Sequence, residues 1–398
     1  MTIMGKYNFD EIIPRRGTDS VKWDSTPEGV LPMWVADMDF KVAPAIMEAL
    51  QKRLDHGIFG YELVPDCYYE SISNWFARRH GWTGIRKENV VCTTGVIAAY
   101  SALIKAMSSP GDKVIVQTPC YNAFFPAIRN NKCTAECSSL IYKDGTYSID
   151  FEDLEKKASD PLATVMLLCN PQNPAGRVWT REELTRIGEI CLRNGVFVIS
   201  DEIHCELTYP GHDYTPFGTL SPEIVANSAS CTSPTKSFNI AGIQIANIIA
   251  SDPEVVRKAD RAINDNECCD VNVFGTAALV AAYDKSEDWL DELRAYVYDN
   301  YLYARDFITA NIPGAKVLPL EGTYLMWIDC RCAMHEGETL EGFSERFSAN
   351  LIGACGLRLC TGSIYGEDGD GFMRFNLACP RAFVEEGVKR LLEGFRTY

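Results

Sequence analysis

Residues 165–204 read VMLLCNPQNPAGRVWTREELTRIGEICLRNGVFVISDEIH, and the order of apolar and polar residues within them predicts the architecture. Two continuous apolar runs, 165–169 and 196–199, enclose a predicted helix from about residue 182 to residue 193. Apolar runs without alternating polar residues are typical of strands that are buried on both faces. A strand, a helix and a second strand in this order predict two parallel strands joined by a right-handed crossover.

The same rhythm extends over most of the chain. Residues 114–116 form another buried run, residues 244–250 indicate a strand, and helices are predicted at 44–54, at 65–79 and from Thr94-Gly95-Val96 to just before Pro110. Pro44 suits the first turn of its helix. The pattern therefore predicts an α/β fold with a large domain built on a mostly parallel sheet.

The pattern changes after about residue 288. A long helical stretch at 288–308 is followed by apolar segments at 324–328, 356–360 and 372–377 and by a closing amphipathic helix from about residue 381. These elements indicate a smaller α+β domain. We expect residues 48–288 to form the large domain and residues 289–398 the small one, with the irregular segment 1–47 belonging to the small domain.

Polar side chains follow the predicted strands at the points where those strands end. Tyr121, Asn173, Asp201 and His204 all lie there, and Lys236 lies near a strand of its own. In open α/β sheets the ligand binds beyond the carboxyl ends of the strands. We therefore expect these residues to converge on one site.

Lys236 stands in SCTSPTKSFNIAGIQ, residues 230–244, among small and hydroxyl residues with almost no charged neighbour. Desolvation lowers the pKa of a lysine and makes its amine available as a nucleophile or base. The obvious use is a Schiff base with a carbonyl cofactor. The alternative is an ordinary loop lysine that follows a proline.

Pyridoxal phosphate needs a lysine, an acid at its pyridine nitrogen, a donor near its phenolic oxygen, a stacking aromatic ring and a phosphate cradle. A buried carboxylate such as Asp201 is costly without a cation, and a protonated pyridine nitrogen is one. Alone, each candidate has a plain structural alternative: a helix cap, a turn asparagine, a core histidine or a packed tyrosine. The other candidates for these roles are Asn173, His204, Tyr121, Ser233 and the backbone N–H groups of Gly95 and Val96.

Other chemistries find less support in the sequence. Ser233-Pro234-Thr235-Lys236 fits the S-x-x-K of serine acylases, but the S-D-N and K-T-G elements of that family are missing. The net charge of −16 argues against nucleic acid and anionic membrane surfaces as partners. The 16 cysteines and five scattered histidines lack zinc spacing, so we expect no metal site. Without an export signal or a membrane span, a cytoplasmic protein with free thiols is expected.

Four pieces of the chain resemble a known family: NPQNPAG (170–176), SDEIH (200–204), SPTK (233–236) and MRFNLA (373–378). Nearly the full length is similar to fold-type I pyridoxal-phosphate enzymes of the class I/II aminotransferase superfamily. Three stretches most resemble its C–S lyase branch, the cystalysin and MalY/PatB-type cystathionine β-lyases. They are PMWVADMDF (32–40), DEIH (201–204) and KSFNIAG (236–242).

The resemblance implies a role for each candidate. Lys236 would form the Schiff base and move the Cα proton, and Arg374 would bind the substrate α-carboxylate as a fork. Tyr61 would reach the phosphate of the neighbouring subunit, which implies a homodimer with shared sites. The remaining roles are Asp201 at the pyridine nitrogen, Asn173 and His204 at the phenolic oxygen, Tyr121 stacked on the ring, Gly95, Val96 and Ser233 at the phosphate, and the segment of Ala36 over the substrate, which Asn173 would also contact.

One position departs from the family pattern. Many aminotransferases carry an arginine eight residues after the lysine, where it grips the phosphate, and this chain has Gln244 there. The phosphate must then rely on backbone amides, Ser233 and the partner's Tyr61, or on another cation.

Two reactions fit the residues and the resemblance. The first is β-elimination of a thiol from an L-cysteine derivative, with release of pyruvate and ammonia. The second is transamination between an L-amino acid and a 2-oxo acid, since electron withdrawal into the cofactor ring supports both. The branch resemblance favours the lyase. A third possibility, binding of a regulatory partner protein, finds nothing for or against it in the sequence.

Overall fold

A computed structural model describes residues 5–265 and 270–398 of the 398-residue chain. Two of the 16 cysteines counted above, the adjacent ones at positions 268 and 269, lie outside the described residues. The strands are β1 (Leu31–Pro32), β2 (Val90–Thr93), β3 (Lys113–Thr118), β4 (Thr134–Ser139), β5 (Ile141–Lys143), β6 (Thr146–Ser148), β7 (Ala163–Cys169), β8 (Phe197–Asp201), β9 (Ser228–Thr232), β10 (Ala246–Ile249), β11 (Lys316–Val317), β12 (Leu325–Asp329), β13 (Leu357–Arg358), β14 (Cys360–Thr361) and β15 (Phe372–Asn376).

Helices surround these strands. They are α1 (Val21–Asp24), α2 (Pro44–His56), α3 (Asp66–His80), α4 (Val96–Met107), α5 (Phe124–Asn130), α6 (Phe151–Ala158), α7 (Arg181–Arg193), α8 (Pro222–Ala226), α9 (Pro253–Asn264), α10 (Val273–Lys285), α11 (Glu287–Asn311), α12 (Phe343–Cys355) and α13 (Arg381–Thr397). None of the described helices combines the length and apolar character needed to cross a bilayer.

A seven-stranded sheet forms the centre, in the order β2-β10-β9-β8-β7-β3-β4. The strands from β9 to β4 run parallel, whereas β10 is antiparallel to both of its neighbours. Every residue of β8 and β9 is buried. The predicted α/β fold with a mostly parallel sheet is confirmed.

The strand that precedes Lys236 is β9, and the sequence analysis did not predict it. Its residues, SASCT, are small and mostly polar, so no apolar run marks it. The predicted strand at 244–250 exists as β10, but it follows the Lys236 loop and runs against the other strands. Lys236 therefore lies beyond the carboxyl end of a parallel strand, as Asp201 and Asn173 do.

A second, four-stranded sheet has the order β11-β12-β15-β14. The N-terminal segment reaches this part of the chain, because β1 pairs in parallel with β13. The backbone N–H of Met33 also donates to the carbonyl oxygen of Arg358. The division into 1–47 with 289–398, against 48–288, is consistent with these pairings and stays a prediction.

Candidate active site

A cavity of about 250 Å³ opens where β7, β8 and β9 end and α4 begins. It brings together most of the residues that the sequence singled out. It is lined by Ala36, Thr94, Gly95, Val96, Ile97, Tyr100, Tyr121, Cys169, Asn173, Asp201, Ile203, His204, Thr235, Lys236, Ala241 and Gln244.

Lys236 reaches into the cavity from the loop after β9. Its Nζ donates a hydrogen bond of 2.6 Å to the carbonyl oxygen of Ala36. Burial and the nearby charge of Arg374 lower its pKa to about 8, although Asp37 and Asp201 act in the opposite direction. The amine is therefore easier to deprotonate than that of an exposed lysine.

Asp201 is the last residue of β8 and is only 3 % exposed. Cys169 and Cys231 flank it in register on the neighbouring strands. Its Oδ1 accepts a hydrogen bond of 3.2 Å from the backbone N–H of Ile203. Burial raises the pKa of this carboxyl to about 7. The site thus holds a buried acid that a further cation would stabilise.

Arg374 lies in the middle of β15 and is 4 % exposed, which excludes a surface ion pair. Its Nη1 donates to Asn173 Oδ1 at 3.0 Å, and its Nη2 donates to the carbonyl oxygen of Trp34 at 2.9 Å. Its Nε is buried without a partner among the described residues. The guanidinium is held in place by neutral groups and retains its full charge for an anionic ligand.

His204 lines the cavity beside the ring of Tyr324, with the two ring centroids 5.9 Å apart. Burial, helped by the charges of Lys236 and Arg374, holds its pKa well below the usual value. The imidazole is therefore neutral at physiological pH. Its Nδ1 is buried without a partner in the part of the chain that the structure describes.

The start of α4 forms one wall of the cavity. Gly95 is the N-cap of this helix and Val96 its first residue, so their backbone N–H groups belong to the end of a helix that attracts anions. Gln244 lies on the same cavity with φ at +57°, in the left-handed region. Among the residues that line the cavity in the described parts of the chain, Lys236 is the only cation.

Ser233 was predicted to hold the phosphate, and that role stays a prediction. This residue does not line the cavity, and its hydroxyl donates to the carbonyl oxygen of Ile245 at 2.6 Å. The backbone N–H of Thr235 donates to Ser233 Oγ in turn. In this arrangement the Ser233 hydroxyl is bonded to neighbouring backbone groups. Thr235 lies on the cavity instead.

The sequence matches a family model described as "Aminotransferase class I and II" over residues 29–391. The chain belongs to the class I and II aminotransferase family. It is 42 % identical to the cystathionine β-lyase PatB of Bacillus subtilis over 390 residues, covering 96 % of this chain and 98 % of that one. It is 34 % identical to the protein MalY of Escherichia coli, covering 98 % and 99 % of the two chains.

Solved structures of the family give the same likeness. Cystalysin from Treponema denticola, which contains pyridoxal 5'-phosphate, superimposes with a TM-score of 0.93 at 33 % identity and covers 98 % of this chain and 99 % of its own. A pyridoxal-phosphate-bound putative aminotransferase from Clostridium difficile also has a TM-score of 0.93, at 38 % identity, with 98 % and 100 % covered.

Tyr100 is a cavity residue that the sequence analysis missed. It is fully buried, and its hydroxyl has no partner among the described residues. Burial and the charge of Asp201 raise its pKa above the usual value. Tyr100 follows Val96 by four residues on a predicted helix, so helical spacing placed it on the same face. That spacing was a usable signal.

Tyr61, in contrast, is not part of the cavity of its own subunit. It lies in an irregular segment between α2 and α3 and is 99 % exposed. The neighbouring Leu63 is 93 % exposed, and Ile58 and Phe59 are also more than half exposed. This family member therefore presents a contiguous stretch of apolar side chains to solvent in the described chain.

Proposed function

We propose that this protein is a pyridoxal-phosphate-dependent C–S β-lyase that removes a thiol from an L-cysteine derivative. The names of the PatB and cystalysin relatives support this assignment. In the overall reaction, a thioether amino acid and one water give a thiol, pyruvate and ammonia. The observation that carries the proposal is the pairing, in one cavity, of an amine of lowered pKa, Lys236, with a buried acid, Asp201, that forms no ion pair with the described residues.

The residues of the cavity fit pyridoxal phosphate. Asp201 offers a carboxylate to a protonated pyridine nitrogen, and His204 has a buried ring nitrogen without a partner. Asn173 uses its Oδ1 on Arg374 and keeps its amide donor for the phenolic oxygen. Tyr121 lies on the cavity for stacking, and the start of α4 suits the phosphate. When bound, the cofactor supplies an electron sink for the charge left at the substrate Cα.

Lys236 is the base in this proposal. Its pKa of about 8 leaves a useful fraction of neutral amine at physiological pH, so Nζ can take the proton from the substrate Cα. Arg374 orients the substrate by binding its α-carboxylate, because the side chain is fixed by Asn173 and Trp34.

Transamination is the second candidate. The family match and the aminotransferase named among the structural neighbours favour it. The same residues would serve both reactions up to the removal of the Cα proton. They differ afterwards, because the lyase expels the thiolate from Cβ whereas the aminotransferase transfers the amino group to a 2-oxo acid.

An assay with L-cystathionine separates the two. The purified, cofactor-loaded enzyme is expected to release pyruvate with no added 2-oxo acid, and Lys236→Ala is expected to release none. Pyruvate should be followed by a coupled lactate dehydrogenase assay, with boiled enzyme as the blank. If amino-group transfer requires a 2-oxo acid and no thiol is released, the protein is an aminotransferase and the lyase assignment is wrong.

We further infer that the enzyme is a homodimer with shared sites. The exposure of Tyr61 and of the apolar side chains around it supports this inference, since a monomer rarely leaves such a stretch uncovered. We also infer a cytoplasmic location. All fourteen cysteines among the described residues are free thiols, as expected in a reducing compartment.

A further inference from the structure

Residues 34–40 (WVADMDF), called here the strap, pass over the cavity without forming a helix or a strand. Side chains from other segments hold its backbone carbonyl groups one after another. Arg374 binds the carbonyl of residue 34, Asn376 binds those of residues 35 and 37, and Tyr324 and Lys236 both donate to that of residue 36. The strap is therefore positioned by side chains that belong to the site.

Asn239 makes three of the contacts to the strap. Its Oδ1 accepts from the backbone N–H of Met38 at 3.0 Å, and its Nδ2 donates to the carbonyl oxygens of Met38 at 3.1 Å and Phe40 at 2.9 Å. It lies three residues after Lys236 on the same loop. Lys236 and Asn239 thus connect one loop directly to one strap.

Other contacts hold the strap from the N-terminal side. Asp39 is buried and accepts from Lys22 Nζ at 2.6 Å and from Arg15 Nη1 at 2.6 Å. Asp37 pairs with Arg15 as well. These ion pairs fix the strap to residues 15–22, not to the Lys236 loop. Asn376 and Tyr324 hold the carbonyl groups of residues 35–37, whereas the Lys236 loop contacts the strap through Asn239 and Lys236 itself.

We propose that Asn239 is a positioning residue, which ties the strap to the Lys236 loop so that the Ala36 carbonyl stays in place to accept a hydrogen from Nζ of the free lysine. The role rests on the proposed function, in which the substrate amine releases Nζ from the cofactor. The released amine needs a fixed acceptor within the cavity, since a flexible lysine would lose its orientation toward the substrate Cα. The Ala36 carbonyl oxygen lies 2.6 Å from Nζ.

The proposal also explains why two separate stretches of the sequence act together. The strap belongs to PMWVADMDF (32–40), and Asn239 belongs to KSFNIAG (236–242). Both stretches carried the resemblance to the C–S lyase branch. In the structure they contact each other through Asn239 and through the bond from Lys236 to Ala36.

Asn239→Gly is the informative variant. Asn239 has φ at +56°, a left-handed conformation that glycine adopts without strain and alanine does not. The glycine variant therefore deletes the side-chain contacts and leaves the backbone free to keep its path. Asn239→Asp keeps the acceptor for the Met38 N–H but turns a carboxylate toward two carbonyl oxygens. Asn89→Ala is the matched control, because Asn89 also bridges two backbone groups, those of Arg86 and Ala250.

Hydrogen exchange of the cofactor-free protein tests the contact itself. In Asn239→Gly and Asn239→Asp, amides of a peptide covering residues 34–40 are expected to exchange roughly tenfold faster, because each lost hydrogen bond is worth about one decade at most. Asn89→Ala should leave that peptide unchanged. Strap exchange at the wild-type rate in both Asn239 variants would overturn the proposal.

A second measurement tests the effect on the lysine. Labelling of Lys236 by an amine-reactive ester, followed by peptide mass spectrometry of the cofactor-free protein, is expected to be faster in Asn239→Gly than in the wild type. The kcat for pyruvate release should fall about tenfold with cofactor content unchanged. An unchanged labelling rate and an unchanged kcat in Asn239→Gly would mean that Asn239 has only a structural role and does not position the lysine. If the wild type releases no pyruvate, the proposed function fails, whereas the exchange and labelling results still decide whether Asn239 positions the strap.

Discussion

Asp201 shows how one residue can oppose folding and still serve the site. Its carboxylate is buried at the end of β8 with one backbone N–H as hydrogen-bond partner and without an ion pair in the described chain. A buried apolar position of this kind destabilises a charged carboxylate unless a ligand supplies the opposite charge. The residue therefore indicates a cationic ligand group more strongly than its sequence context alone could.

The first prediction concerns the pH dependence of the cofactor-free protein. The pKa of Asp201 is about 7 in the folded chain, against a usual value of about 4. Below pH 4 the carboxyl is protonated in both the folded and the unfolded chain, so its burial involves no charged group. Between pH 4 and pH 7 the unfolded chain loses the proton while the folded chain keeps it, so the free energy of unfolding falls as the pH rises.

Asp201→Asn removes this loss while keeping an acceptor for the Ile203 N–H. Above pH 7 the cofactor-free variant is expected to be more stable than the wild type by a few kcal/mol, with the difference vanishing near pH 4. Thermal unfolding at a series of pH values measures it, with Asp144→Asn at an exposed turn as the control. A constant difference across this pH range would contradict the prediction. The variant should also bind the cofactor less tightly than the wild type does, since the pyridine nitrogen loses its carboxylate partner.

At this scale the sequence predicted the residues that follow apolar strands. Asp201, Asn173 and Tyr121 could be placed because a buried parallel strand is visible as an apolar run and its carboxyl end faces the ligand. Asn239 and Thr235 could not be placed, because their contacts come from a loop conformation and from a segment about 200 residues away. The bond from Ser233 to Ile245 could not be predicted for the same reason, since it depends on how the loop folds back.

The helices and strands differ in how clearly the sequence predicts them. Both boundaries of α7 and the start of α13 agree with their predictions to within one residue, because apolar residues recur at helical spacing along both helices. No sequence pattern predicted strand β9, since its stability comes from pairing with β8 and β10 and not from apolar side chains. The direction of β10 was likewise a matter of topology that no local pattern encodes.

The second prediction concerns the packing of α13. Gly387 lies on its buried face, where an added Cβ would stand 2.6 Å from Met33 Sδ and 2.7 Å from Phe375 Cζ. Gly387→Ala is therefore expected to destabilise the protein by about 1–3 kcal/mol through overpacking, although alanine is the better helix former. Because Met33 and Phe375 adjoin the strap and Arg374, the variant should also raise KM.

Gly353→Ala in α12 is the matched control for that variant. Apart from the backbone of its own helix and its chain neighbours, no atom of the described residues lies within 4 Å of a Cβ added there, so the helix propensity of alanine should stabilise the protein by about 0.5–1 kcal/mol. Denaturant unfolding of the two variants measures both effects. Equal changes in the free energy of unfolding of the two variants would mean that helix propensity, and not packing, dominates at Gly387.

The whole molecule joins two sheets through the strap and the segments around it. The seven-stranded sheet contributes Lys236 and Asp201, while β15 of the four-stranded sheet contributes Arg374. The strap lies between them and contacts both Lys236 and Arg374 through its carbonyl groups. The geometry of the site therefore depends on the relative position of the two sheets, which a sequence can suggest only through its overall order of elements.

The last prediction belongs to the assembly. Leu63 is 93 % exposed beside Tyr61, in a stretch whose apolar side chains a monomer would leave in water. A charge at the centre of a self-complementary interface meets its own copy across the two-fold axis or is buried unpaired, and either outcome weakens association. Leu63→Asp is therefore expected to shift the protein from dimer to monomer, measured by sedimentation velocity. If the sites are shared as proposed, the variant should lose both cofactor affinity and pyruvate release, because Tyr61 would no longer reach the neighbouring site.

Leu162→Asp provides the control for this variant. Leu162 is 51 % exposed just before β7, at the amino end of the strand and away from the cavity. The same charge there should leave both the dimer and the activity unchanged. A monomeric wild type with full activity would contradict the shared-site arrangement, and a dimeric, fully active Leu63→Asp variant would show that the exposed stretch around Tyr61 is not the interface. The exposure of this stretch would then need another partner to explain it, since apolar side chains at this density are costly to leave in water.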